Sequence, residues 1–76
     1  MDYVMVTFEA DNNLNVDLKI PLFVTPGELI SMLSEALGVS FTPENRLQAE
    51  PLGRILAHDR TLADEGVAHG ALLTLI

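Results

Sequence analysis

The sequence predicts an α+β fold in which one helix packs on one face of a mixed sheet of four to five strands. Three observations support this fold class. Two neighbouring segments alternate apolar and polar residues, one segment carries complete helix start and stop signals, and further short strand-like segments follow it. A chain of 76 residues has room for one domain, so we expect residues 1–76 to form a single unit.

The first two strands are predicted to form a hairpin. In residues 2–8, apolar side chains recur at every even position from Val4 to Phe8. A second alternation covers residues 14–20, and the acidic and amide residues at 11–13 supply turn chemistry between the two. An antiparallel hairpin with one apolar face follows from this pattern.

The helix signal lies in residues 24–38, VTPGELISMLSEALG. Thr25 and Glu28 have the spacing of a capping box, Pro26 suits the first helical position, and Gly38 is a typical terminating residue. The apolar stripe that we expect to face the sheet consists of Leu29, Ile30, Leu33, Ala36 and Leu37.

The remaining elements are predicted to be short. Strands are expected at Arg46–Ala49 and Arg54–Ala57, separated by a turn at residues 50–53, and a last strand at Ala71–Ile76. Pro51 belongs in the turn or at an edge because it cannot donate to a sheet ladder. Thr61–Gly66 is expected to be a tight or 3₁₀ segment.

Composition excludes several function classes. Eleven acidic residues against four basic ones give a formal charge of −7, which repels phosphate backbones and anionic headgroups, so we expect no nucleic-acid partner. No run approaches the roughly 18 to 20 apolar residues of a transmembrane helix, so no direct membrane insertion is expected. The default location is cytoplasmic. The absence of cysteine excludes disulfides and thiolate zinc sites.

No arrangement of residues favours catalysis. His58 beside Asp59, and His69 near Asp64 and Glu65, lack the three or four convergent ligands of a metal site, and we interpret both histidines as solvated loop residues. Phosphate-binding, dinucleotide-binding and nucleophile-elbow motifs are also lacking. We therefore expect a protein that is not an enzyme and has no cofactor and no catalytic or metal-binding residues.

The last third of the chain, GRILAHDRTLADEGVAHGALLTLI from residue 53 to residue 76, resembles the corresponding part of ubiquitin-like proteins. A short strand, a polar turn, a Thr-Leu pair, and a Gly before the last strand make up the shared phrase. Its residues here are Leu56, Thr61, Leu62, Val67, Gly70, Leu73 and Leu75. The resemblance implies the β-grasp fold, with the first and last strands parallel at the sheet centre.

Within ubiquitin-like proteins the chain resembles the YukD/EsaB group, small components of bacterial type VII secretion systems. The size, the opening strand VMVTFEA, and VDLKIP leading into a Pro-containing helix start carry this resemblance. It implies an accessory or regulatory component with a protein partner in the secretion machinery, in the cytoplasm or at the periphery of a membrane secretion complex. A small ubiquitin-like subunit of a multicomponent oxygenase has similar features, and this alternative stays open.

A ubiquitin-like modifier or sulfur carrier is a further alternative. Activation of such proteins requires a slender, flexible carboxyl-terminal stalk ending in Gly-Gly, whereas this sequence ends in Leu75-Ile76. Lys19 is the only lysine that could accept an isopeptide. We therefore expect binding and no conjugation.

The expected binding site lies on the sheet face opposite the helix. If Leu73 and Leu75 are buried, strand alternation turns Leu72 and Ile76 outward. Tyr3 and Met5 on the first strand are expected to face the same way. We predict that Tyr3, Met5, Leu72 and Ile76 bind a protein partner, and an apolar face of this kind is also compatible with a homodimer.

Overall fold

The structure, a computed structural model, describes residues 2–10, 14–38, 40–42 and 44–76. These residues form one sheet, a main helix and a second helix of one turn. In chain order the elements are β1 (Tyr3–Ala10), β2 (Leu14–Pro21), α1 (Pro26–Leu37), β3 (Leu47–Glu50), β4 (Arg54–Ile55), α2 (Leu62–Glu65) and β5 (Ala71–Leu75). The predicted α+β class with one main helix on a mixed sheet is confirmed.

The sheet has the order β2-β1-β5-β3-β4. The central strands β1 and β5 are parallel, with Phe8 beside Leu73, and the other neighbouring strands are antiparallel. The helix lies between β2 and β3 in the chain, so it crosses one face of the sheet and covers the central strands. This is the β-grasp arrangement that the resemblance implied.

The predicted hairpin pairs β1 with β2 along eight residues of each strand, with Val4 opposite Ile20 and Phe8 opposite Val16. Even positions of both strands point towards α1. Val4, Val6 and Phe8 are buried as the alternation predicts. The predicted turn at residues 11–13 lies outside the described residues.

Local signals start and end α1 as predicted. The Thr25 hydroxyl accepts a hydrogen bond from the Glu28 amide at 3.2 Å, and the Glu28 carboxylate accepts one from the Thr25 amide at 2.9 Å. Gly38 ends the helix with φ +68°, in the left-handed region that glycine enters without strain. The capping box and the terminating glycine are therefore confirmed.

Ala36 corrects the predicted apolar stripe, because it is exposed. Ile30 and Ala36 lie on opposite flanks of a stripe centred on Leu33. The flank of Ile30 faces a cavity that Phe41 and His58 also line. Leu29 lies on the same flank as Ala36 and is buried, so the exposure of Ala36 is confined to the last turn of α1.

The short elements differ from their predicted bounds. β4 contains two residues in place of four, because after Ile55 the chain turns inward and buries Leu56, whose amide donates to the Leu47 carbonyl at 2.8 Å. β3 runs from Leu47 to Glu50, one residue later than expected. The last strand ends at Leu75, although Ile76 still exchanges backbone hydrogen bonds with Arg46 at 2.9 and 3.0 Å.

The segment from Thr61 to Gly66 is one turn of α-helix, α2, and the predicted tight or 3₁₀ segment is wrong. Thr61 caps it by accepting from the Asp64 amide at 3.1 Å, and Gly66 ends it with φ +82°. Leu62 is fully buried, and its amide donates to the Val24 carbonyl at 2.9 Å. Caps at both ends and an anchored first residue allow an α-turn in four residues.

Candidate protein-binding surface

The sheet face opposite α1, called the open face below, carries exposed or half-buried side chains. It is formed by the odd positions of β1, the odd positions of β2 up to Lys19, the even positions of β3 and β5, and one residue of β4. Its members in the strands are Tyr3, Met5, Thr7, Glu9, Asn15, Asp17, Lys19, Gln48, Glu50, Ile55, Leu72 and Thr74.

Tyr3 and Met5 lie at one end of the open face. They are 47% and 46% exposed. The Lys19 ammonium lies 5.1 Å from the centre of the Tyr3 ring, which is a cation–π contact. Met5 precedes the part of β1 that pairs with β5, and its amide donates to Nδ1 of His69 at 3.1 Å. The Tyr3 ring is thus held by Lys19, the Met5 backbone is held by His69, and both side chains remain accessible.

Leu72 and Ile76 extend the same face towards the other end. Leu72 is half-buried between Thr7 and Glu50, and Ile76 is 48% exposed. Since Leu72 is level with Thr7, it lies about 13 Å along the strands from Tyr3, and Ile76 lies about 13 Å further. The four predicted residues share a face but do not form one cluster.

Acidic side chains lie between the apolar ends of the open face. Asp17, Thr7, Leu72 and Glu50 form one row across four strands, and Glu9 lies in the next row. The Thr7 hydroxyl donates to the Asp17 carboxylate at 2.8 Å, which orients that acid. The open face therefore combines exposed apolar ends with an acidic middle.

Sequence reasoning missed two features of this surface. Ile55 lies opposite Gln48 on the open face and is 53% exposed. Its orientation was available from alternation, since the next residue, Leu56, is buried. The acidic middle depends on the parallel pairing of β1 with β5, and no local pattern in either strand specifies that register.

The interpretation as a solvated loop residue is wrong for His58 and is confirmed for His69, which is exposed in the turn before β5. His58 is half-buried, and its Nε2 lies 2.8 Å from the Asn45 carbonyl oxygen. His69 accepts the Met5 amide described above. Both rings connect chain segments that are distant in sequence. Within the described residues, no three histidine, aspartate or glutamate side chains gather in a way that could hold a metal ion.

In the described part of the chain, neither helix has the length and hydropathy to cross a bilayer.

Solved structures that resemble this chain are ubiquitin-like. A chain from a structure described as "Molecular Mimicry of SUMO promotes DNA repair" has a TM-score of 0.83 at 16% identity, covering 100% of this chain and 92% of that one. A ubiquitin-like domain from Arabidopsis thaliana gives 0.77 at 15% identity, covering 100% and 78%. Ubiquitin from Caldiarchaeum subterraneum gives 0.76 at 22%, covering 97% and 91%. At these identities the likeness establishes the fold.

Curated proteins give no match. A family model, described as "WXG100 protein secretion system (Wss), protein YukD", matches residues 3–75. This range includes all five strands and both helices of the β-grasp. The chain is therefore a ubiquitin-like protein that belongs to the YukD family.

Proposed function

We propose that this protein is a noncatalytic binding component of a bacterial WXG100, or type VII, secretion system and docks through its open face onto a cytosolic domain of the machine. The family match over residues 3–75 carries the proposal. The proposed location is the cytoplasm, at the periphery of the membrane complex.

The open face has the extent of a typical protein interface. Tyr3 and Ile76 are separated by about 25 Å along the strands, and a standard interface buries about 800 Å² on each partner, a patch of similar width. Tyr3 and Met5 at one end, and Leu72 and Ile76 towards the other, are the proposed apolar anchors. Aromatic residues and methionine are enriched among residues that contribute to interfaces.

The charge of the face indicates the chemistry of the partner. Glu50 lies beside Leu72, Asp17 lies in the same row two strands away, and Glu9 lies in the next row. The whole chain carries a formal charge of −7. A basic surface would therefore associate faster and would be held in register by opposite charges. Raising the salt concentration from 0.05 to about 0.5 M should slow association, because the Debye length falls from above 10 Å towards 4 Å.

Binding without covalent transfer is part of the proposal. Ile76 donates its amide to the Arg46 carbonyl and accepts from the Arg46 amide and from the Asn45 side chain at 3.1 Å. Backbone and side-chain hydrogen bonds thus hold Ile76 at the end of the sheet, beside β3. Incubation with ATP and a bacterial adenylating enzyme should leave the intact mass unchanged; an adenylate or thioester product would support a modifier instead.

The site is tested by capture of the purified cytosolic domains of the secretion system encoded by the same genome. Met5→Asp and Ile76→Asp each place a charge on an exposed apolar anchor and should weaken capture at least tenfold, about 1.4 kcal/mol. Met32→Asp is the matched control, because Met32 is 45% exposed on α1, outside the open face, and Met5 is 46% exposed.

Retained capture by both anchor variants would overturn the site assignment. An equal loss with Met32→Asp would indicate a general effect of added negative charge. Circular dichroism of each variant establishes that the fold is intact, and exposed positions of this kind usually tolerate substitution within about 0.5 kcal/mol.

A further inference from the structure

The strand β2 forms one edge of the sheet, next to β1, with no described strand on its other side. It is eight residues long, which is long for an edge strand. An edge of this length presents a row of backbone donors and acceptors to any chain that can pair with it.

The hydrogen-bond pattern identifies the outward-facing backbone groups of β2. The Leu22 amide donates to the Asp2 carbonyl at 2.9 Å, and the register continues with even residues opposite even residues. In an antiparallel pair the inward and outward groups alternate, so Asn15, Asp17 and Lys19 direct their N–H and C=O away from β1. The Met5 carbonyl, which accepts from Gly70 at 2.8 Å, shows the same alternation on β1.

We propose that a second copy of this chain pairs with β2 across this edge, antiparallel and in a register centred on Leu18. Asp17 of each copy then lies opposite Lys19 of the other copy, on the open face. The two pairs exchange backbone hydrogen bonds, and the two sheets join into one continuous sheet. The proposal concerns the edge of the sheet and stands apart from the docking of its open face.

Charge complementarity selects this register. Asp17 and Lys19 are both exposed and lie symmetrically about Leu18, so a twofold pairing centred there brings opposite charges together twice. A register centred on Asp17 or on Lys19 would place like charges opposite each other, which is destabilising in cross-strand pairs. A register centred on Val16 would pair Asp17 with Asn15 and form no ion pair.

The side chains of β2 that face the helix also favour a second copy of the chain at this edge. Leu14, Val16 and Leu18 point towards α1, yet all three are only half-buried, because α1 lies over the central strands. In the proposed register Leu18 meets Leu18 of the second copy, and Val16 meets Ile20. These aliphatic contacts cover the exposed parts of the row. Pro21 lies opposite Asn15 and can accept the Asn15 amide through its carbonyl.

Sedimentation velocity over a concentration series tests the dimer. Wild-type protein should shift from monomer to dimer as its concentration rises. Asp17→Lys and Lys19→Asp each convert two attractive pairs into two repulsive ones and should weaken dimerisation by roughly tenfold or more. The double variant restores both pairs with the charges reversed and should recover the wild-type dimerisation constant. A chain that stays monomeric up to millimolar concentration, or a double variant as weak as the single ones, would overturn the proposal.

Cysteine cross-linking tests the register in a chain that has no native cysteine. In the proposed register, Leu18 lies opposite Leu18 of the second copy, in a pair that is not hydrogen-bonded. The two Cα atoms are then about 4.5 Å apart, within the range that a disulfide spans. Leu18→Cys should form a disulfide dimer under mild oxidation. Val16→Cys is the control, since Val16 of one copy lies about 13 Å from Val16 of the other in this register. Preferential cross-linking of Val16→Cys would overturn the register centred on Leu18.

Discussion

Glu65 is the buried charged side chain of the described core, with 3% of its surface exposed. Arg54 contacts both its carboxylate and its carbonyl oxygen, at 2.5 and 2.6 Å, and Arg60 approaches the carboxylate at 3.7 Å. A carboxylate at the end of a one-turn helix is ordinarily solvated. Here it is buried because Arg54 on β4 turns to the helix side of the sheet and supplies a double contact.

Arg54→Met should lower the free energy of unfolding by about 2 to 3 kcal/mol, because it leaves the Glu65 carboxylate buried with one distant partner. Arg60→Met is the matched control and should cost under about 1 kcal/mol, since Arg60 is exposed and its contact is long. Urea unfolding measures both. Equal losses in the two variants would mean that the double contact of Arg54 contributes nothing specific.

Among the secondary-structure elements, the capping box is the clearest local signal. Thr25 and Glu28 satisfy one backbone amide each, and together they mark the start of α1. Apolar periodicity alone leaves the start of a helix uncertain by several residues. The cap removes that uncertainty, which is why the sequence predicted the start of α1 correctly.

Thr25→Ala should destabilise the fold by about 1 kcal/mol, the usual cost of losing a cap. Ser31→Ala on the exposed side of the same helix is the control and should be neutral or slightly stabilising, because alanine has the higher helix propensity. Thermal unfolding followed by circular dichroism compares them. A Thr25→Ala midpoint equal to that of Ser31→Ala would contradict the role of the cap.

Across the whole molecule, the last strand contributes both to the core and to the surface. Leu73 is fully buried beside Phe8 in the central parallel pair, and Ile76 is 48% exposed at the end of the open face. Leu73 therefore packs in the core, whereas Ile76, three residues later, points to the proposed interface.

Leu73→Ala should cost about 2 to 5 kcal/mol, through lost apolar burial and a cavity at the sheet centre. Ile76→Ala should change stability by under about 1 kcal/mol and still weaken partner capture. Urea unfolding and the capture experiment, run on both variants, separate folding from binding. A large stability loss with Ile76→Ala would place that residue in the fold and remove it as a binding anchor.

Elements with strong local signals were predicted closely, whereas the extent of β4 and the helical form of α2 depend on distant contacts and were not predicted. The alternation of β1 and β2 and the caps of α1 are encoded within each segment. The two-residue extent of β4 depends on Leu56 turning into the core, and the α-turn of α2 depends on Leu62 bonding to Val24. These contacts join separate segments of the chain, so no pattern within one segment predicts them.

Patterns within the sequence were sufficient to predict the α+β class, the two faces of each long strand, the start of α1, and the outward orientation of Tyr3, Met5 and Leu72. Local backbone chemistry and side-chain alternation suffice for these. The strand pairing was needed to show that the four predicted anchors extend along about 25 Å of the open face and that Leu72 lies in one row with Glu50 and Asp17. The physical reason is that distances across a sheet follow from strand register, which long-range pairing between β1 and β5 sets.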